Sequence, residues 1–236
     1  MAETPPNRRL SVNAAPDQGL KDRETWVFDL DNTLYPASAN MFDEIDRRMC
    51  AYIANFLEID HAAAYRVQKR YFREHGTSLK GLMDNHDMDP GPYLDYVHEV
   101  SVEGVKPDPL LDQALARLSG RKVIFTNASR GHAERVLARL GVGHHFDEIF
   151  DIVAGDYVPK PDHGVYRKLV ESFDIAPVRA VMVEDVARNL GPAADMGMAT
   201  VWVVTDRPWA QAEAEGVRPD HRVEDLTRWL AELTGI

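Results

Sequence analysis

The sequence predicts an α/β fold in which a doubly wound, Rossmann-like parallel sheet forms the core and an all-helical cap is inserted. Three observations support this prediction. Short apolar runs alternate with amphipathic helical segments, as in a parallel sheet covered on both faces. Several of these runs end in acidic or polar residues, and a long helical stretch follows the first of them. A chain of 236 residues is long enough for one substantial core and a smaller inserted domain.

The core is predicted to comprise residues 22–36 and 105–236, and a polar tail precedes it. Residues 1–21 contain several Pro, Asn and Asp, so we expect this tail to be mobile. The first buried strand is predicted from a nearly continuous apolar run, formed by Trp26, Val27, Phe28 and Leu30.

The inserted cap is predicted to span residues 37–104. After Pro36 the apolar residues recur at helical spacing, on one stripe formed by Met41, Ile45, Met49, Ile53 and Phe56. The helical pattern continues over residues 62–74 and 92–100. We therefore expect this whole stretch to be helical.

Strands and helices alternate through the rest of the chain. Asp108 is a predicted helix N-cap with Pro109 at the first helical position, and Gly120 is expected to stop that helix. Helices are predicted over residues 131–140, 165–173 and 224–233, and apolar strands are predicted in the runs that end before Thr126 and before Glu184. The last helix should pack its apolar side on the sheet, through Leu226, Trp229 and Leu230.

Charge and composition exclude several classes of protein. The formal net charge is −11, which disfavours binding to a nucleic-acid polymer and requires a local cation for an anionic substrate. No apolar run is long enough to span a membrane, and residues 1–9 lack the apolar centre of a secretory signal, so a cytoplasmic protein is expected. The single cysteine, Cys50, falls on an apolar helical face and should be buried and inert. The oligomeric state stays open.

Two aspartates, Asp29 and Asp31, follow the first strand directly. Ligands of open α/β sheets bind beyond the carboxyl ends of the strands, so both carboxylates should lie in that crevice. A carboxylate can attack phosphorus to give an acyl phosphate, and a second one can move the proton for the leaving group and then for water. The alternative is an ordinary turn or helix cap, since Asp-Asn is common in both.

Polar residues also follow the second apolar run. Thr126 and Asn127 lead into a predicted helix, and a hydroxyl with backbone N–H groups at such a turn can hold a phosphate. The alternative is that these residues only cap the helix. Lys160 lies between two prolines, which fix the backbone so that its stem leaves in a defined direction. An ordinary surface lysine in a turn is the alternative there.

Two adjacent acids, Glu184 and Asp185, end a further apolar strand. Neighbouring buried carboxylates repel each other unless a cation is present. Mg²⁺ prefers oxygen ligands and commonly uses one or two carboxylates with phosphate oxygens and waters, so the pattern predicts a magnesium site. One acid alone could instead be a helix N-cap.

The four segments together resemble the haloacid dehalogenase-like hydrolase superfamily over residues 26–202. The resemblance implies that Asp29 is the nucleophile, Asp31 the general acid and base, and Thr126 and Lys160 phosphate ligands. It implies Mg²⁺ bound by Asp185, by the Asp29 carboxylate and by the main-chain carbonyl of Asp31, with Glu184 supporting the metal directly or through water. Superfamily members that displace halide lack an acid at the Asp31 position, so its presence argues against a dehalogenase.

A narrower resemblance points to the pyrimidine 5′-nucleotidase branch, through residues 29–36 and 71–82. The expected activity is a Mg²⁺-dependent phosphomonoesterase acting on a small phosphate ester, with a 5′-nucleotide as first choice. A phosphatase or mutase of sugar phosphates or phosphoglycolate, and a noncatalytic binding protein, are the alternatives. In the cap, Lys80 is the preferred candidate for substrate contact, since Gly76 and Gly81 beside it allow close backbone approach. Tyr35 should either line the pocket or pack under the cap.

Overall fold

The computed structural model describes residues 16–211 and 217–236. Within these residues six parallel strands form one sheet in the order β3-β2-β1-β4-β5-β6. The strands are β1 (Thr25–Phe28), β2 (Arg121–Phe125), β3 (Glu148–Phe150), β4 (Ala180–Glu184), β5 (Ala199–Val203) and β6 (His221–Val223). The predicted α/β fold with a doubly wound parallel sheet is confirmed.

Strand β1 lies at the point where the direction of winding reverses. From β1 the chain moves outward through β2 to β3, and it then returns to the other side of β1 and continues through β4 to β6. The loops after β1 and β4 therefore run apart, and ligands of open α/β sheets bind in the crevice that this leaves. Both acidic segments of the sequence follow these two strands.

Four helices are inserted between β1 and the rest of the core. They are α1 (Met41–Leu57), α2 (His61–His75), α3 (Ser78–His86) and α4 (Pro90–His98). Side chains cap three of them, because Asp60, Thr77 and Asp89 each accept a hydrogen bond from a backbone N–H of the first turn. The helices share an apolar cluster separate from those around the sheet, including Cys50, Ile53, Tyr71, Leu82 and Tyr93.

The remaining helices cover the two faces of the sheet. They are α5 (Pro109–Arg117), α6 (Arg130–Leu140), α7 (His163–Phe173), α8 (Leu190–Asp195), α9 (Pro208–Gln211) and α10 (Leu226–Thr234). Alternate strand residues enter different layers: Trp26 and Phe28 belong to one apolar cluster and Val27 to the other. Both layers are formed by apolar side chains, whereas polar residues lie at the carboxyl ends of β1 and β4. As predicted, α10 packs Leu226, Trp229 and Leu230 in the core.

Several sequence-based boundaries need correction. Gln18–Asp22 forms a 3-10 helix with Leu20 buried in the core, so the tail predicted for residues 1–21 ends earlier; residues 1–15 of it lie outside the described residues. Phe56 was placed on the buried stripe but is 41% exposed near the end of α1. Helix α5 ends at Arg117, before Gly120. No helix in the described part of the chain is long and apolar enough to cross a membrane.

Candidate active site

Four predicted site residues lie at the carboxyl ends of the strands: Glu184 is the last residue of β4, and the residues that directly follow β1, β2 and β4 are Asp29, Thr126 and Asp185. The Asp29 N–H donates to Val183 O at 2.9 Å, and the Thr126 N–H donates to Phe150 O at 3.0 Å. The parallel hydrogen-bond pattern thus continues into the two loops and fixes their backbones. Asp29, Thr126, Glu184 and Asp185 are all buried and all line one cavity.

A buried lysine connects the two acidic segments. The Lys160 Nζ donates to Asp29 Oδ1 at 2.8 Å, to Glu184 Oε2 at 2.7 Å and to Phe125 O at 2.8 Å. These contacts use all three of its N–H donors. Burial alone would lower the pKa of Lys160, but Asp29 and Glu184 outweigh burial and raise it above its ordinary value. Lys160 is therefore a charged group within the site and only 2% exposed, which excludes the surface-lysine interpretation.

Asn127 lines the cavity and also holds the backbone of Lys160. Its Oδ1 accepts from the Lys160 backbone N–H at 2.9 Å, and its Nδ2 donates to Lys160 O at 3.5 Å. Thr126 Oγ1 accepts from the Ala128 N–H at 3.0 Å, which is a local turn contact of the kind the capping alternative requires. The next helix, α6, has no side-chain cap from Ser129; its Arg130 N–H donates instead to Asp151 at 2.8 Å.

Three carboxylates converge at the crevice with one ammonium among them. Oxygens of Asp29, Glu184 and Asp185 lie within 4.8 Å of one another. Asp185 Oδ2 is buried and has no hydrogen-bond partner among residues 16–211 and 217–236, whereas Glu184 Oε1 accepts from the Val186 N–H at 3.1 Å. The main chain of Asp185 is fixed from β5, because Trp202 Nε1 donates to its carbonyl at 2.8 Å.

The electrostatics of this cluster fit a bound cation. Burial, followed by the charge of Glu184, raises the pKa of Asp29 to about 7 and raises that of Asp185 well above its ordinary range. An orphaned buried carboxylate oxygen beside two further oxygen donors is the donor set that Mg²⁺ prefers. The residues present therefore fit the metal that the sequence predicts.

Asp31 has a different environment on the other side of the crevice. Its Oδ1 accepts two hydrogen bonds, from the Tyr35 hydroxyl at 2.6 Å and from His132 Nε2 at 2.9 Å. Burial would raise the pKa of Asp31, but His132 and Tyr35 more than offset it and hold the pKa below its ordinary value. The pKa values of Asp29 and Asp31 are thus shifted in opposite directions.

Two histidines near Asp31 were missed by the sequence analysis. His132 lies in the first turn of α6, and His98 ends α4; their rings stack with centroids 4.7 Å apart. His98 Nδ1 lies 2.9 Å from Ser129 Oγ. The available signal was the position of His132 six residues after Thr126, but the contact with Asp31 depends on how α6 sits against the β1 loop.

The inserted helices close one side of a cavity of about 150 Å³. Its walls combine the catalytic loops with apolar cap residues, including Phe42, Ile45, Met49, Phe72, Leu79 and Tyr93. Arg188, in the loop after β4, joins the core to the cap, because its Nη2 donates to Phe72 O at 3.0 Å and to Gly76 O at 3.3 Å.

Neither of the two specificity candidates lines the cavity. Lys80 pairs with Asp84 of its own helix and is not among the cavity-lining residues. Tyr35 is buried against Asp31 and also lies outside the lining. Gly76 and Gly81 serve protein packing: a Cβ on them would lie 2.9 Å from Pro159 Cγ and 2.3 Å from Tyr71 Cγ. The cap lysine at the cavity is Lys69, paired with Asp46 at 2.6 Å.

Fold and site together define an α/β protein with three buried carboxylates and one lysine at the crevice of its parallel sheet. The family model of the haloacid dehalogenase-like hydrolases matches residues 24–197, and the chain belongs to this family. It is 28% identical over 232 residues to phosphate metabolism protein 8 of Saccharomyces cerevisiae, covering 91% of this chain and 71% of that one. It is 27% identical to the glyceraldehyde 3-phosphate phosphatase of Methanopyrus kandleri, covering 74% and 81%.

Solved structures at low identity share the fold. A HAD phosphatase from Thermococcus onnurineus aligns with a TM-score of 0.58 at 17% identity, covering 90% of this chain and 98% of that one. The L-2-haloacid dehalogenase of Xanthobacter autotrophicus aligns with a TM-score of 0.55, also at 17% identity, covering 91% and 99%. Phosphatases and dehalogenases thus share this architecture, and the family relatives support hydrolysis of phosphate esters by this chain.

Proposed function

We propose that this protein is a Mg²⁺-dependent phosphomonoesterase that works through an aspartyl-phosphate intermediate on Asp29. The observation that carries the proposal is the pairing of two differently tuned aspartates in one crevice. Asp29 lies in the cluster with Lys160 and two further acids, while Asp31 lies across from it with its own donors. Dehalogenation of carbon needs no second acid, whereas expulsion of an alcohol from phosphorus does.

The reaction begins with in-line attack of an Asp29 carboxylate oxygen on phosphorus. Thr33 Oγ1 donates to Asp29 Oδ2 at 2.7 Å, and Lys160 holds Oδ1, so the carboxylate is fixed in one orientation. Asp31 donates its proton to the leaving oxygen and later takes a proton from the water that hydrolyses the aspartyl phosphate. A bound phosphate dianion brings negative charge close to Asp31 and raises its pKa, which favours uptake of that proton.

Positive charge at the crevice stabilises the transferred group. The charge of Lys160 and the backbone N–H groups around Thr126 would stabilise the equatorial phosphate oxygens, and a cation held by Asp29, Asp185 and the Asp31 carbonyl would neutralise charge on those oxygens. Glu184 both anchors Lys160 and supports that cation. The chain as a whole is strongly acidic, so these local positive charges are required for an anionic substrate.

The cavity supports a 5′-nucleotide, with a pyrimidine base as first choice. Its cap side is mainly apolar and aromatic, through residues such as Phe42, Phe72 and Tyr93, and flat rings bury well against such walls. A sugar phosphate is the second candidate, favoured by the similarity to a glyceraldehyde 3-phosphate phosphatase.

The test is a panel of phosphate esters that contains purine and pyrimidine 5′-nucleotides, sugar phosphates and phosphoglycolate, each with Mg²⁺ or with EDTA. We expect Mg²⁺-dependent release of phosphate, fastest from the pyrimidine nucleotides. Asp29→Asn is the control, since an amide of similar volume cannot form the acyl phosphate. Full turnover by Asp29→Asn would contradict the mechanism, and faster turnover of a sugar phosphate would replace the nucleotide.

A further inference from the structure

The hydrogen bonds to Asp31 are concentrated on one of its two oxygens. Tyr35 and His132 both donate to Oδ1, at 2.6 Å and 2.9 Å. A carboxylic acid that accepts two hydrogen bonds on one oxygen must carry its proton on the other. Proton exchange with a substrate is thereby confined to Oδ2. The two donors come from different elements, the loop after β1 and helix α6, so neither local turn chemistry nor one helix accounts for the arrangement.

Both donors are buried and firmly positioned. Tyr35 is 3% exposed and packs in the core cluster, and burial raises the pKa of its hydroxyl well above the ordinary value, so the hydroxyl remains a donor. His132 is fully buried, and its Nε2 donates to Asp31 Oδ1, since that oxygen is the acceptor of the pair; its Nδ1 has no hydrogen-bond partner among the described residues. A buried polar atom left unpaired costs stability, so this histidine is not explained by core packing.

The cap supports His132 from the opposite face. The His98 ring stacks on it at 4.7 Å with a tilt of 24°, and Arg135 Nη2 donates to the His98 carbonyl. Burial and the neighbouring His132 lower the pKa of His98 to about 3, so the stacked ring is neutral. His98 ends α4, the last cap helix, so the cap contributes directly to the position of the ring that contacts Asp31.

We propose that Tyr35 and His132 are positioning residues for the general acid and base, which hold Asp31 by Oδ1 so that Oδ2 faces the leaving oxygen, and that His98 couples the cap to this arrangement. The inference rests on the proposed phosphatase activity and deepens it. It predicts that loss of either donor impairs the transfer of the proton, while attack by Asp29 is retained.

The experiment compares two leaving groups on the full chain with Mg²⁺. One substrate is p-nitrophenyl phosphate, whose phenolate leaves without a proton; the other is the alkyl phosphate of the panel that the wild type hydrolyses fastest. We expect His132→Phe, which keeps the stacked ring, and Tyr35→Phe to lower kcat/KM for the alkyl ester by about 10²-fold. The loss for p-nitrophenyl phosphate should stay below about threefold, because kcat/KM covers no step after the phenolate departs.

Two further readouts separate positioning from structure. His132→Gln, whose amide can donate from the place of Nε2, should restore at least about tenfold of the alkyl-ester loss. With p-nitrophenyl phosphate, both Phe variants should show a burst of one p-nitrophenolate per site, because hydrolysis of the aspartyl phosphate also needs Asp31. Equal losses on both esters, no loss, or no rescue by Gln would overturn the positioning role. A wild type inactive on both esters would instead overturn the proposed function, and this inference with it.

Discussion

Replacement of Lys160 by methionine should strongly destabilise the metal-free protein. The side chain is buried, and its Nζ lies 2.8 Å from Asp29 Oδ1 and 2.7 Å from Glu184 Oε2. Methionine fills similar space but leaves both carboxylates without their cation. Removal of one partner of a buried ion pair costs about 3–5 kcal/mol in the free energy of unfolding. At about 2–4 °C per kcal/mol for a chain of this length, the thermal midpoint should fall by about 6–20 °C.

The measurement is urea and thermal unfolding in EDTA, repeated with Mg²⁺. Lys168→Met is the matched control, because Lys168 pairs with Asp156 at 2.5 Å on the surface with its side chain 39% exposed. Loss of such an exposed pair costs below about 1 kcal/mol. Mg²⁺ should recover part of the loss in Lys160→Met, since a second cation can compensate the same acids. Equal destabilisation by the two substitutions would show that the buried ion pairs of Lys160 contribute no more to stability than the exposed pair of Lys168.

The remaining predictions concern the acids and the cap. Asp29→Asn should abolish phosphate release, and it should also change the pH dependence of stability in EDTA. Burial raises the pKa of Asp29 from 3.8 to about 7, so its contribution to the free energy of unfolding is full below pH 3.8 and is lost as the pH rises through 7. Thermal melts of Asp29→Asn across this pH range should lack that decline. Asp185→Asn should weaken the Mg²⁺-dependent rise in midpoint, and an unchanged response in a Mg²⁺ titration would shift the metal assignment away from Asp185. Gly81→Ala would place a Cβ 2.3 Å from Tyr71 Cγ, whereas the nearest contact of a Cβ in Gly91→Ala is 3.5 Å. Gly81→Ala should therefore lower the thermal midpoint more than Gly91→Ala in circular dichroism melts. Equal midpoints would show that the cap can adjust.

The central strands of the sheet and the two acidic segments could be predicted from local sequence patterns. Strands β1, β2 and β4 contain short apolar runs, and polar site residues follow them directly, as Asp29 follows β1 and Asp185 follows β4. Because parallel strands of one sheet present their carboxyl ends at the same edge, such local patterns are enough to predict which side chains converge. The family resemblance supplied their order and chemistry.

The parts that could not be predicted depend on tertiary placement. Lys160 was predicted to reach phosphate, and only the packing of its loop against β1 and β4 shows that Asp29 and Glu184 occupy its donors. The glycines around Lys80 suggested the approach of a ligand. A glycine in the sequence shows that a close contact is allowed, but it does not show whether a ligand or another part of the protein makes that contact. The contact of His132 with Asp31 joins residues 101 positions apart, and the position of His132 six residues after Thr126 does not reveal its partner.

The location of the acidic cluster explains why the fold tolerates it. Three carboxylates and one ammonium are buried together, which opposes folding, yet they lie beyond β1 and β4, where the chain connections diverge. The layers on both faces of the sheet remain apolar. The unfavourable charge is therefore confined to the one edge of the sheet where the proposed cation would bind, and binding of that cation would offset part of its cost. Residues that hold the two strands in register, such as Asp29 through its bond to Val183, consequently serve stability and chemistry through the same backbone contact.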